Sequence, residues 1–129
     1  MCVFCEIIKG NIPSAKVYED DKTLAILDIS QTTKGHTLVL PKQHYENLLE
    51  IPAEELAELI VKVQKIAANN VAKLGAKGFN LLVNTGAVAG QSVPHLHFHI
   101  IPRYDENDSI EISFKENSFD LQEICDLLK

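Results

Sequence analysis

The stretch "SVPHLHFHIIPR", residues 92–103, sets His95, His97 and His99 on alternate positions with Leu96, Phe98 and Ile100 between them. A period of two is the strand period, so this run predicts a strand with imidazoles on one face and apolar side chains on the other. Neighbours on one strand face lie about 6.5–7 Å apart. An apolar face against a core and an imidazole face lining a cleft point to a metal comb or to a nucleophile with helpers, rather than to a solvated strand.

Just upstream, the loop "NTGAVAGQSVPH" (84–95) holds Gly86 and Gly90, which let a backbone approach a ligand closely. Asn84, Gln91 and Ser92 add hydrogen-bonding groups beside the imidazoles, so a phosphate would meet backbone N–H groups, neutral donors and histidines. Further out, "FNLLVN" (79–84) reads as a strand. "EIPAEELAELIVKVQKIAANNVAKLGAKG" (50–78) reads as a long helix, with Pro52 and two glutamates at its start and Gly75 at its stop. Leu56, Leu59, Ile60, Val63, Ile66, Ala67, Val71 and Leu74 form a core stripe. A second stripe of Ala57, Val61, Ala68 and Ala72 fits either a broad core face or a helix covered by a second subunit.

Toward the N-terminus, "TLAILDI" and "HTLVLP" are strand-like runs separated by the polar turn "SQTTKG". "VFCEII" predicts a short helix ended by Gly10, and "NIPSAKVYEDD" the entry into the sheet. At the other end "SFDLQEICDLLK" predicts a short amphipathic helix with Phe119, Leu121, Ile124, Leu127 and Leu128 free to dock, and with Cys125 as a buried small apolar residue. The expected class is α+β: an antiparallel meander with one long helix and short N- and C-terminal helices, in a single domain spanning 1–129.

Composition narrows the function. No apolar run nears the roughly 20 residues that span a bilayer, and "MCVFCEIIKG" lacks a signal pattern. Three cysteines, an odd number, argue against a secreted disulfide framework, so a soluble cytoplasmic protein is expected. A net charge of −6 disfavours nucleic acid and anionic membranes as partners.

Two more histidines stand in "KGHTLVLPK" (His36) and "PKQHYENL" (His44). Imidazole, with a pKa near 6.5, is both nucleophile and proton carrier at neutrality. At phosphorus it can displace an amine or a pyrophosphate-type group, giving a phosphohistidine-like intermediate that water opens. Such a step needs no metal if donors neutralise the phosphoryl oxygens. "CVFC" offers half of a tetrahedral zinc site, which His44 and one strand histidine could complete. A reduced thiol pair without a role, or a redox motif lacking its usual βαβ setting, are the alternatives.

These residues resemble those of the histidine triad (HIT) family, in its nucleotide-binding hydrolase branch, nearly end to end as far as Arg103. The signature stands as "HLHFHII" preceded by "GQSVP", and "FCEIIKGNIPSAKVYEDDKTLAILDIS" with "GHTLVLPKQH" is similar to the family's N-terminal half. The resemblance implies a homodimer whose strands and long helices pair across a two-fold axis. It implies that His97 attacks the α-phosphorus, that His99 contacts phosphate and leaving group, and that Ser92 bonds the bridging atom. Gln91 and Asn84 would hold the phosphate, Asp28 would accept from both ribose hydroxyls, and Phe4, Ile7, Ile12, Ile26 and Ile29 would line the base pocket. His36 would orient His95 or relay protons to it. Some bacterial members imply a structural zinc on Cys2, Cys5, His44 and His95.

The substrate so implied is a purine nucleotide: AMP phosphoramidates cleaved at the P–N bond, and related conjugates. A dinucleoside polyphosphate hydrolase and a nucleotide-binding scaffold with weak turnover are the competing readings, and a zinc-stabilised structural module would leave His97, His99 and Asp28 idle. Pro94 limits the start of the histidine strand to an edge or bulge position. Residues 104–129 form a variable tail unlike the short aromatic tail of the animal members.

Overall fold

In the computed structural model, which describes residues 1–129, the chain forms α1 (Val3–Ile8), β1 (Lys16–Glu19), β2 (Thr23–Leu27), β3 (Thr37–Pro41), α2 (Ala53–Leu74), β4 (Gly78–Leu82), β5 (Phe98–Arg103) and α3 (Leu121–Leu128). The strands make one antiparallel sheet in the order β1-β2-β3-β5-β4. The last strand in sequence therefore inserts between β3 and β4. The architecture is α+β, as the sequence predicts.

Strand alternation sorts the core into two halves. On one face Ala25, Val39, Phe98 and Ile100 pack under α2 through Leu59, Val63, Ile66 and Ala67. On the other, Leu24, Ile26, Leu38 and Leu40 pack against Phe4 and Ile7 of α1. Covered on both sides, β2 and β3 are near-continuous apolar runs. Each fully buried aliphatic side chain contributes about 1.5–3 kcal/mol.

α2 follows Pro52, carries Glu54 and Glu55 in its first turn and ends at Gly75, whose left-handed φ of 68° turns the chain so that the Ala76 N–H reaches the Val71 carbonyl at 3.1 Å. Asn70 is buried in α2 but satisfied, donating to the Thr37 hydroxyl and so tying the helix to β3. At Gly35, φ is +94° and a Cβ would stand 2.3 Å from Leu74 Cδ1, so only glycine fits the turn into β3. No helix is long and apolar enough to cross a membrane.

Four expectations are corrected. The histidine strand begins at Phe98 rather than His95: the β3–β5 register, extended one pair beyond Leu40, would set Leu96 opposite Pro41, which has no N–H. Leu96 N–H donates instead to the Tyr45 carbonyl. The second helix stripe (Ala57, Val61, Ala68, Ala72) is exposed, so it is not part of a broad core face, and Ile60 joins it rather than the core. Together Ile60, Val61, Phe79 and Leu81 border an open apolar depression of about 350 Å³ beside edge strand β4. Cys125 is exposed, because α3 packs on nothing in its own chain.

Candidate active site

The register of β5 fixes the chemistry. His97 and His99 share the face that meets α1, while Leu96, Phe98 and Ile100 enter the core beneath α2. The period-two pattern thus delivers the imidazoles to one side, as predicted, although His95 and His97 lie just ahead of the strand.

His97 is buried, and its Nδ1 lies 2.8 Å from the carbonyl of His95. Only a protonated nitrogen can bond a carbonyl, so Nδ1–H donates and Nε2 keeps its lone pair. No protein group bonds that Nε2. The Phe4 ring meets His97 edge-on at 5.0 Å, and the His99 ring lies 5.0 Å away on its other side. Burial holds His97 below its ordinary pKa, so the imidazole is neutral at neutral pH.

His99 is oriented by a chain of donors. The Thr32 N–H donates to His36 Nδ1 at 3.4 Å, which leaves the proton of His36 on Nε2. That proton is donated to His99 Nδ1 at 2.9 Å, so the proton of His99 sits on Nε2. The sequence paired His36 with His95; the structure pairs it with His99. Side chains at 36 and 38 share a face, and Leu38 is the cross-strand partner of His99, so His36 is its diagonal neighbour. Burial, then the neighbouring His97 and His36, pushes His99 down to about 4, and burial also lowers His36.

Asp28 lies one residue past the end of β2 and uses Oδ1 to accept the Ser30 N–H at 2.7 Å. It therefore caps its turn, while Oδ2 faces His36 Nε2 at 3.7 Å and remains the free edge of the carboxylate. Phe4, Ile7 and Ile26 gather in one buried cluster with Ile12 packed on it, whereas Ile29 is fully exposed and stands apart. Gln91 differs from expectation: its Oε1 accepts the Gly86 N–H and its Nε2 donates to the Glu46 and Val93 carbonyls. Its amide is spent bracing the loop, not offered to a phosphate. Asn84 leans weakly on the Gly90 carbonyl at 3.4 Å, and the exposed Ser92 hydroxyl has no protein partner.

Four other donors converge at the start of the chain. Cys2 caps α1, its sulfur accepting the Cys5 N–H at 3.3 Å, so the C-x-x-C spacing is that of an N-cap and the third helical residue. His95 Nε2 donates to the Pro41 carbonyl at 2.8 Å, which leaves its Nδ1 unprotonated. That nitrogen lies 3.4 Å from Cys2 Sγ, 3.6 Å from Cys5 Sγ and 3.1 Å from His44 Nδ1, and Cys5 Sγ is 3.3 Å from His44 Nδ1. Tetrahedral zinc with ordinary bond lengths separates N from S ligands by about 3.6 Å and N from N by about 3.3 Å. The residues present fit such an ion. Burial, then Cys2, raises the Cys5 thiol, a shift that a bound cation would reverse. Sequence reasoning missed the Pro41 carbonyl and the Thr32 N–H, because backbone groups leave no trace in residue type.

Against known proteins, the family model described as HIT domain matches residues 9–106. An uncharacterized HIT-like protein of Methanocaldococcus jannaschii is 50% identical over 130 residues, covering 100% of this chain and 99% of that one. The adenosine 5′-monophosphoramidase of Schizosaccharomyces pombe is 38% identical over 123 residues, 95% of this chain and 90% of that one. The crystal structure of a HIT family member from Bacillus subtilis, 48% identical, superposes with a TM-score of 0.92 over 98% of this chain and 94% of that chain.

Proposed function

The chain belongs to the HIT family, and from that membership and the tautomers of its buried histidines we propose that it is a nucleotide hydrolase cleaving purine nucleoside 5′-phosphoramidates and related conjugates. The observation that carries this reading is His97 Nε2, a neutral nucleophile with its lone pair free because Nδ1–H is held by the His95 carbonyl. Next to it, His99 carries a proton on Nε2.

In the first half-reaction His97 Nε2 attacks the α-phosphorus. The new N–P bond forms as the P–N bond to the leaving amine breaks, and the amine departs with a proton taken from solvent while His99 Nε2–H donates a hydrogen bond to the phosphoryl oxygens. In the second, water attacks phosphorus, the N–P bond to His97 breaks and returns its electron pair to Nε2, and the proton of the water passes to solvent. Ser92 supplies a hydroxyl to the bridging atom, Asn84 and backbone N–H groups of the 84–92 loop meet the phosphate, and Asp28 Oδ2 accepts from the ribose. The S. pombe relative's name describes the same P–N chemistry and supports it.

Cys2, Cys5, His44 and His95 hold one zinc in this reading, which supplies structure: it fastens α1 to the segment just ahead of His97. A cytoplasmic location suits thiols that must stay reduced to bind metal. Two copies pair across a two-fold axis through the exposed stripe of α2 and the edge strand β4, covering Ile60, Val61, Phe79 and Leu81.

The test compares kcat/KM for adenosine phosphoramidate, its 2′-deoxy analogue and diadenosine tetraphosphate. The phosphoramidate is expected to be preferred, and loss of the 2′-hydroxyl to cost about 10- to 150-fold. Equal values for the first two remove the Asp28 role; a preference for the tetraphosphate replaces this substrate class.

A further inference from the structure

The turn between β2 and β3, residues 28–36, carries Asp28 at its start and His36 at its end. The tautomer of His36 depends on one bond inside that turn, from the Thr32 N–H to His36 Nδ1. At 3.4 Å this bond is long for a nitrogen donor and is by itself a weak hold on a proton. Without it His36 would be free to carry its proton on Nδ1. Its Nε2 would then accept, and His99 would turn its own proton inward onto Nδ1. The outward N–H of His99 therefore depends on where one peptide group points, the one joining Gln31 to Thr32.

Gln31 holds that peptide. The residue is exposed, yet its amide is spent on backbone. Nε2 donates to the Asp28 carbonyl at 2.6 Å and to the His36 carbonyl at 2.8 Å, while Oε1 accepts the Gly35 N–H at 2.7 Å. Two carbonyls at one end and an N–H at the other permit only this orientation of the amide. Fixing a glutamine in one rotamer costs side-chain entropy, which three short bonds offset together. The outer limb of the turn is pinned separately, the Thr33 hydroxyl donating to the Pro102 carbonyl and the Tyr104 hydroxyl to the Lys34 carbonyl, both at 2.6 Å. Those anchors fix residues 33 and 34 to the sheet. Gln31 ties the stretch before them to both ends of the turn at once.

We infer that Gln31 is a positioning residue: by bracing both ends of the 28–36 turn it aims the Thr32 N–H at His36, and so sets the tautomer of His36 and, through it, of His99. The catalytic consequence rests on the reading of His99 Nε2–H as a donor to the phosphoryl group. The tautomers themselves are a property of the free protein.

The experiment uses proton–nitrogen correlation spectra of the full-length protein with isotope-labelled histidine, which separate a protonated ring nitrogen from a bare one. His36→Gln and His99→Gln assign the signals. In the wild type both rings are expected to carry hydrogen on Nε2. In Gln31→Leu about nine in ten His99 rings should carry it on Nδ1, and kcat on adenosine phosphoramidate should fall about tenfold, in proportion to the outward N–H that is lost. In a His36→Ala background, where no ring is left for the turn to aim at, the same substitution should change kcat by less than about twofold. Gln31→Glu, which keeps the acceptor for Gly35 and gives up both donors, should shift the rings in the same direction and serves where the leucine variant does not fold. A glutamine that only closed the turn would lower Tm and leave the rings as they were. Unchanged rings in either folded variant, Nδ1–H rings in the wild type, or a full tenfold loss that persists without His36 overturns the inference. Rings that shift as expected in a protein that does not turn over the phosphoramidate uphold the positioning role and overturn the hydrolase reading alone.

Discussion

Two histidine pairs flank His97, built from the same residue type and set to opposite purposes. His44 and His95 meet through Nδ1 atoms 3.1 Å apart, with the His95 nitrogen stripped of its proton by the Pro41 carbonyl. His36 and His99 meet at 2.9 Å as donor and acceptor, because the Thr32 N–H has claimed His36 Nδ1. The first pair turns its Nδ1 atoms inward beside two sulfurs, in a spacing that fits a cation. The second is complete without one and presents an N–H outward. A single backbone group on the far nitrogen decides which, so an imidazole's role here is written one bond away from the ring that performs it.

The largest effect should come from the ring that belongs to neither pair. His97→Ala is expected to lower kcat by about 10⁴-fold or more while AMP binding, followed by calorimetry, changes little. Turnover near that of the wild type would end the nucleophile assignment. Next comes the donor pair. His36→Ala frees His99 Nδ1 to take the proton, and kcat should fall about 100-fold with a Tm close to that of the wild type.

The cation pair should behave in reverse. His44→Ala, or removal of metal by a chelator, is expected to lose about 3 kcal/mol of stability and about 10 °C in Tm, with kcat kept within about tenfold. Metal analysis of the purified protein should give one zinc per chain. If His44→Ala cost as much activity as His36→Ala, the contrast between the two pairs would collapse.

The smallest effect is a slope. His99 titrates near 4 when folded and near 6.5 when unfolded, so between those values the unfolded chain binds more protons. Stability should therefore fall as pH drops through 6.5 toward 4 and be indifferent to this group above that window. Urea titrations of wild type and His99→Gln at several pH values isolate the contribution, the variant showing the shallower slope. Identical slopes would mean that His99 is protonated in the folded protein.

Side-chain patterns made much of this legible in advance. The alternation 95–97–99 sent three imidazoles to one side even though only His99 lies within β5, and Cys2 and Cys5 share the spacing of an N-cap and the third residue of its helix. The long helix was readable from Pro52 to Gly75. What escaped depended on register or on backbone atoms. His36 faces His99 because β3 and β5 pair Leu38 with His99, a long-range choice that no local window contains. The strand starts late because Pro41 lies opposite its expected beginning. Gln91 looked like a phosphate ligand by type, but three backbone partners had already taken its amide. Ile29 shared its composition with Ile26 and not its side of the turn.

The position of β5 in the sheet also bears on how the protein is made. During synthesis β1, β2 and β3 can pair as they leave the ribosome, but β4 then waits without a neighbour, since its only partner is the strand that follows it. When β5 emerges it bridges the two halves, and the same segment brings His95 to the thiols made 90 and 93 residues earlier. Assembly of the sheet, gathering of the Cys2–Cys5–His44–His95 cluster and arrival of His97 are one event. A nascent chain halted before residue 95 is therefore inert by construction, and hydrolytic activity switches on only when the body of the fold is whole.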